Sequence, residues 1–370
     1  MKQYESTTYD EQLAEKIAIF KQDFSELNLP DPEIFNSPQK NFRMRAEFRI
    51  WHKGPVSTYC MFSDDEFKRP YDITEFPIGS ELMNRLMAEL MAEINANEIL
   101  RTKLFQIDFL TTLSGQALIS MIYHRKLDDE WVSAAKNLQT KLSIFVIGRS
   151  KNQKIVVEQD FVIEQLQAGE MRFHYQQIES GFTQPNARVC EKMLTWAVEK
   201  SQDWGGDLIE LYCGNGNFTM PLSQNFERVL ATELAKPSVK SALFNMELNQ
   251  VKNIAISRLS SEEFSQAMDK VRSFNRLAGI DLDSYKFTSI FVDPPRSGMD
   301  PHTTSITQRY DNIMYISCNP VTLRENLKEI VKTHDITNVA LFDQFPYTHH
   351  LEVGMTLRRK INQNNKRLTI

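Results

Sequence analysis

Cysteine is scarce in this chain: there are four in 370 residues, Cys60, Cys190, Cys213 and Cys318, with no CxxC spacing among them. That excludes a disulfide framework, a zinc ribbon and a cysteine-held iron–sulfur cluster, and it fits a reducing compartment. Long apolar runs are missing as well. The greasiest stretch, 104–123, is broken by Gln106, Asp108 and Ser114, so no membrane span is expected. The opening MKQYESTTYDEQLAEKIAIF lacks the basic start and apolar core of an export signal, which makes the cytoplasm the expected location. An excess of positive charge is also absent. At a net charge of −5, any nucleic-acid surface has to come from local clusters.

What is present is an ordinary globular composition, 41% hydrophobic and 25% charged, in a chain long enough for two domains. An amphipathic helix is expected over 9–27, followed by an extended linker marked by Pro30, Pro32 and Pro38. From Phe42 the chain alternates. In FRMRAEFRIWH, Phe42, Met44, Ala46, Phe48 and Ile50 take one face of a strand, while Arg43, Arg45, Arg49 and Trp51 take the other. The cationic face is either a solvated sheet surface or a place for phosphates and stacked bases. A helix is read over 79–96, then a hairpin of strands 104–113 and 116–124 turning at Ser114-Gly115, a helix near 127–142 and a strand at 143–148. Strands interspersed with helices give an α+β domain reaching to about residue 175, with a second domain over 176–370.

The second half opens on Phe182-Thr183-Gln184-Pro185-Asn186 and a helix over 187–199. From Asp207 it repeats strand, turn and helix, as a doubly wound, mostly parallel sheet requires. The first strand ends in ELYCGNGNF, Glu210 to Phe218. Phe218 stands where a dinucleotide fingerprint would have its third glycine, and Glu233 ends the next strand about 20 residues on, where an acid accepts ribose hydroxyls. Two acids and a GxG without a diphosphate fingerprint point to an adenosine ligand such as S-adenosylmethionine.

Three further stretches carry chemistry: FVDPPRSG (Phe291 to Gly298), YISCNP (Tyr315 to Pro320) and PYTHHLE (Pro346 to Glu352). Cys318 lies at a strand end, where open α/β sheets hold their reactive groups, although a lone cysteine also reads as a buried structural thiol. Asp293 reads as a turn cap or as a group facing a ligand, and Glu352 as a surface carboxylate or a base. Adding a thiolate to C6 of a pyrimidine makes C5 nucleophilic, and a base must later remove the C5 proton. Cys318 and Glu352 are the residue types for those two tasks.

With FRMRAEFRIWH, KLFQIDFLTTLS, FTQPN, ATELAKPSV, FVDPPRSG, YISCNP and LFDQFPYTHH in view, the chain resembles the RNA m5U methyltransferase family, and within it the bacterial tRNA (uracil-5-) branch, over nearly its whole length. The resemblance implies a Rossmann-like S-adenosylmethionine-dependent methyltransferase domain behind an α+β RNA-binding domain. It implies cofactor contacts at Gln184, Tyr212, Asn217, Glu233 and Asp293, a nucleophile at Cys318 and a proton acceptor at Glu352. It implies a tRNA T-arm as partner, with the T-loop uridine, conventionally position ~54, flipped out to react. The tRNA-like loop of tmRNA is a second expected substrate. Arg43, Arg45, Arg49, Phe105 and Arg296 are the candidate RNA contacts, no metal or iron–sulfur cluster is expected, and a monomer is the default. A ribosomal-RNA uracil methyltransferase and an RNA-folding module with secondary methylation are the alternatives. The basic tail from Arg358 to Arg367 reads as solvated or as extra phosphate contacts.

Overall fold

The computed structural model describes residues 8–63 and 68–361, which form two compact units. In chain order the elements used below are α1 (Tyr9–Asp23), β1 (Glu33–Phe35), β2 (Arg45–Lys53), β3 (Val56–Phe62), β4 (Pro70–Ile73), α2 (Glu81–Ala96), β5 (Leu104–Thr111), β6 (Ala117–Tyr123), α3 (Asp129–Leu142), β7 (Phe145–Ser150) and β8 (Gln153–Val156). They continue with β9 (Phe161–Ala168), β10 (Met171–Ile178), α4 (Ala187–Ser201), β11 (Asp207–Leu211), β12 (Arg228–Thr232), α5 (Lys236–Leu248), β13 (Ile254–Ser257), α6 (Ser261–Met268) and β14 (Phe287–Val292). The chain closes with α7 (Pro301–Thr307), β15 (Asn312–Ser317), α8 (Pro320–Ile330), β16 (His334–Phe342) and β17 (Glu352–Arg359).

The smaller unit holds residues 38–166 and 174–188. Its seven-stranded sheet runs β4-β3-β2-β5-β6-β7-β8, antiparallel except where β6 meets β7. The alternation expected from Phe42 is present, with Phe42, Met44, Ala46, Phe48 and Ile50 all buried. Ala46, Phe48 and Ile50 share one core with Leu86, Met87 and Leu90 of α2 and Trp131 of α3. Each helix starts on a side chain that takes an orphan amide: Ser80 Oγ accepts from Met83 N, and an Asp128 oxygen accepts from Trp131 N.

The larger unit holds residues 8–37, 167–173 and 189–361 of the described chain. Its eight-stranded sheet runs β1-β16-β17-β15-β14-β11-β12-β13. All neighbours are parallel except β17, which runs antiparallel between β15 and β16. This is the doubly wound sheet expected from the sequence, with one reversed strand inserted.

The boundary differs from a single cut near residue 175. Residues 8–37, grouped by sequence with the first half, belong to the larger unit. The proline-marked linker supplies β1, whose Glu33, Ile34 and Phe35 pair in parallel with Ala340, Leu341 and Phe342. Phe20 of α1 and Phe24 sit in one core with Ile209, Ile290 and Tyr315. Such pairing over more than 300 residues leaves no local signature, because strand and helix patterns show which face is buried and not against what. The tail beyond residue 361 lies outside the described residues, while Arg358 and Arg359 end β17.

Candidate active site

The carboxyl ends of β11, β12, β14 and β15 all lie along one edge of the sheet. Beyond β11 the backbone turns sharply: Tyr212, Gly214 and Gly216 have φ of +63°, +56° and +83°. For tyrosine that conformation is rare and is held by the surroundings. The Tyr212 hydroxyl donates to Ser261 Oγ at 3.2 Å. A Cβ on Gly214 would meet nothing within 4 Å, so open space faces the turn there, whereas on Gly216 it would lie 2.8 Å from Met220 Cε. Glu233, just past β12, braces this turn: Gly214 N donates to one carboxylate oxygen at 3.0 Å and Ala235 N to the other at 2.7 Å. The Asn217 amide lies 3.4 Å from Cys190 Sγ.

Beneath the turn, Glu210 is buried and its Oε2 has no hydrogen-bond partner among the described residues. Burial pushes this carboxyl up to about 8, the Thr219 hydroxyl pulls it down, and the charge of Asp293 adds to the rise. An orphaned buried carboxyl oxygen, Glu233 and Asp293 around an open glycine turn suit a ligand bearing hydroxyls and positive charge. A diphosphate would face carboxylates.

The second half of the site follows β14 and β15. Asp293 begins the Asp-Pro-Pro-Arg turn after β14, and burial of its carboxyl pushes it up to about 7. Cys318 follows β15, and Asn319 caps α8 by accepting from Val321 N at 3.1 Å. Asn319 Nδ2 also donates to Arg296 O at 2.8 Å, which ties the two turns together.

Across from Cys318 comes Glu352. The β15–β17 ladder ends at the pair Ser317–Val353, so Cys318, just past β15, and Glu352, the first residue of β17, flank its last pair, and the Glu352 charge acts on the Cys318 thiol. Glu352 is 3% exposed, and no hydrogen-bond donor for its carboxyl exists among the described residues. Burial pushes it up to about 8, helped by Asp293 and opposed by Arg296. Burial likewise pushes the Cys318 thiol up to about 11, helped by Glu352 and Asp293 and opposed by Arg296.

Cys318, Arg296, Asn319, His350 and Leu351 line one side of a cavity of about 590 Å³, and Gln12, Lys16 and Ile19 of α1 line another. The His350 pKa is held down by burial and by His349, Arg296 and Lys16 nearby, and its Nε2 lies 3.5 Å from Arg296 Nη2.

In the smaller unit the arginine face of β2 is less free than its sequence indicates. Arg45 donates to the carbonyls of Glu179 at 2.5 Å and Gly181 at 2.6 Å, and Arg43 Nε donates to Arg45 O at 2.8 Å. Arg49 lies over the Phe105 ring at 4.0 Å, and Phe105 stacks on His124 with ring centres 4.0 Å apart. Gln184 belongs to this unit, in the segment whose Pro185 carbonyl accepts from Met44 N at 2.8 Å.

A model of the tRNA (uracil-5-)-methyltransferase family matches residues 8–360. The chain belongs to this family. A tRNA/tmRNA (uracil-C(5))-methyltransferase of Cellvibrio japonicus is 59% identical over 357 residues, covering 96% of this chain and 97% of the relative. One of Vibrio cholerae is 54% identical over 359 residues, covering 95% and 97%. The crystal structure of Pyrococcus abyssi tRNA (uracil-54, C5)-methyltransferase with S-adenosyl-L-homocysteine shares the fold, with a TM-score of 0.71 at 18% identity, covering 95% of this chain and 84% of that one.

In this family member, Tyr212, Asn217, Glu233 and Asp293, singled out from sequence, fall in and beside the turns of one sheet edge, together with Cys318, Arg296 and Glu352. Gln184 and the four amino-terminal RNA candidates belong to the other unit. Sequence reasoning missed His124, since nothing in IYHRK says that the imidazole stacks on Phe105. It also missed Gln12 and Lys16 as cavity walls. Their spacing on α1 was legible, but their partners are not local.

Proposed function

We propose that this methyltransferase transfers a methyl group from S-adenosylmethionine to carbon-5 of the T-loop uridine of tRNA, the uracil-54 named for the Pyrococcus enzyme, and of the tRNA-like loop of tmRNA, giving 5-methyluridine. It acts as a cytoplasmic monomer. The observation that carries the reading is that Cys318 and the buried Glu352 flank the last pair of the β15–β17 ladder, at the sheet edge where the glycine turn after β11 opens.

S-adenosylmethionine supplies an electrophilic methyl carbon, and Tyr212, Asn217, Glu233 and Asp293 of the larger unit are the residues that would hold it. Cys318 Sγ adds to C6 of the uracil, and the C5–C6 electron pair moves toward O4. C5 would then take the methyl group as the sulfonium S–CH3 bond breaks, leaving the thioether S-adenosylhomocysteine. Glu352 removes the C5 proton, the C5–C6 double bond re-forms, and the thiolate leaves. Arg296 and the amino end of α8 favour the thiolate that the two carboxylates oppose, so the thiol ionises more readily when either carboxyl is protonated. A carboxyl pushed up to about 8 is a proton acceptor matched to neutral pH. In the smaller unit, the Arg49–Phe105–His124 stack is the surface of choice for an unstacked base.

The test is transfer of labelled methyl to unmodified tRNA, to tRNA with the target uridine changed to cytidine, and to ribosomal RNA. Label on the first alone supports the proposal, whereas label on ribosomal RNA alone overturns the substrate and keeps the chemistry. Cys318→Ala should abolish turnover and keep cofactor binding. Glu352→Gln should accumulate a covalent RNA adduct on a denaturing gel.

A further inference from the structure

The loop 343–351 joins β16 to β17, lines the cavity with Tyr347 to Leu351 and leads directly into Glu352, which is opposite Phe342 where the two strands part. A loop of this length has no conformation of its own, and side chains from outside it must choose one. In this structure they come from α1. Lys16 Nζ donates to Asp343 Oδ1 at 2.6 Å and to Phe345 O at 2.9 Å. Gln12 Nε2 donates to Asp343 Oδ2 at 3.0 Å, and Gln12 Oε1 accepts from Tyr347 N at 3.1 Å.

Tyr347 has φ of +61°, a conformation a bulky residue keeps only when its surroundings enforce it. The edge of Tyr9 packs on its ring at 6.0 Å. Both members of the ion pair are buried, with side chains 5% and 0% exposed. Two turns of one helix thus grip the loop at Asp343, Phe345 and Tyr347, while its far end carries His350 against Arg296 and then Glu352.

Cys318 is set independently of this grip. Ser317 Oγ accepts from Asn319 N at 3.2 Å, and Asn319 holds α8 and the Arg296 turn. Loosening the loop therefore displaces the base and leaves the nucleophile in place.

We propose that α1 is a positioning element for proton removal: Gln12 and Lys16 fix loop 343–351 so that Glu352, which follows it, is held beside Cys318. The inference rests on the function proposed above. Its consequence is a selective defect, in which thiolate addition and methyl transfer proceed while release of the methylated RNA slows.

The experiment compares the wild type with Lys16→Met/Asp343→Leu, which removes both buried charges together and so avoids stranding one of them. The assays are methyl transfer to tRNA, S-adenosylmethionine affinity, thermal melting and adduct formation on a denaturing gel. Misplacing a reacting group by about 1 Å costs on the order of 10²-fold, so kcat should fall on that scale, with cofactor affinity within about twofold and methylated covalent adduct building up. A merely structural role would lower turnover without accumulating adduct, and that result, or turnover within about twofold of wild type, would overturn the inference.

Gln12→Leu keeps the ion pair and releases Tyr347 N, and it serves if the double variant fails to fold. It should lose about tenfold in kcat with the same adduct, by analogy with other positioning contacts, and unchanged turnover would again overturn the inference. If the wild type itself methylates no RNA, the proposed function and this inference fall together. If it methylates tRNA and both variants match it, the inference alone fails.

Discussion

The Glu352 carboxyl is buried without a donor, and the cost of that arrangement can be read as a dependence of stability on pH. Its pKa is raised from an ordinary 4.5 to about 8, chiefly by burial. Between those values the folded chain keeps a proton that the unfolded chain releases, so stability falls as pH rises through the window. The sign is that of a raised carboxyl: the full contribution is present below about pH 4.5 and is lost progressively up to about pH 8. At ~1.4 kcal/mol per unit, some 2.5 units at pH 7 correspond to about 3 kcal/mol. Glu352→Gln has nearly the same shape and does not titrate. Relative to wild type it should gain stability by ~1.4 kcal/mol per pH unit between about pH 5 and pH 8 and level off above.

The assay is urea denaturation of both proteins at a series of pH values, each pair compared at the same pH so that the other titrating groups cancel. The variant should be the more stable protein at pH 8 and yet the one that traps RNA as a covalent adduct, as expected where a functional group is kept at the expense of stability. Parallel stability curves from pH 5 to pH 8 would refute the reasoning. They would mean that the carboxyl ionises at its ordinary pKa, and the account of Glu352 as a proton acceptor matched to neutral pH would lose its basis.

Arg296 lowers the pKa of both Cys318 and Glu352, so Arg296→Gln should move the acid limb of the single-turnover rate profile to higher pH, and an unmoved limb would remove Arg296 from the electrostatics of the site. Gly216→Val places a branched side chain at φ of +83°, with a Cβ 2.8 Å from Met220 Cε. Calorimetry should show S-adenosylmethionine affinity falling by about tenfold or more, because the turn must open. Arg45→Ala frees the carbonyls of Glu179 and Gly181 and should lower the stability of its unit by about 2 kcal/mol, seen by limited proteolysis, with a smaller effect on RNA affinity. Phe105→Ala should do the reverse, costing about 1–3 kcal/mol of RNA binding with little change in melting.

How much of this was legible beforehand follows the range of each interaction. The strand ends carrying Glu210, Glu233, Asp293 and Cys318 were readable because a buried parallel strand is a short apolar run, and the turn after it announces itself by glycine or proline. The alternation from Phe42 to Ile50 was readable for the same local reason. What sequence could not give were the partners. Arg43, Arg45 and Arg49 look equivalent along the alternating stretch that leads into β2, yet two are spent on main-chain carbonyls and the third on Phe105. Pro30, Pro32 and Pro38 read as a linker, while the residues between them pair with β16.

The reversed strand β17 shows the same limit with the most consequence for chemistry. Nothing in EVGMTLRR specifies that it runs antiparallel between β15 and β16, yet only that direction brings its first residue, Glu352, beside Cys318. Had β17 run parallel to β15, its start would lie at the opposite edge of the sheet from the thiol, because a strand of eight residues spans roughly 26 Å. Strand direction therefore joins the proposed nucleophile and the proposed base, and α1 holds the loop that the reversal requires. Strand direction sets which groups can meet, and the grip of Gln12 and Lys16 on Asp343 sets how closely. That order of dependence is why substitutions in α1 should act on the release of methylated RNA, the step proposed for Glu352, more than 300 positions away.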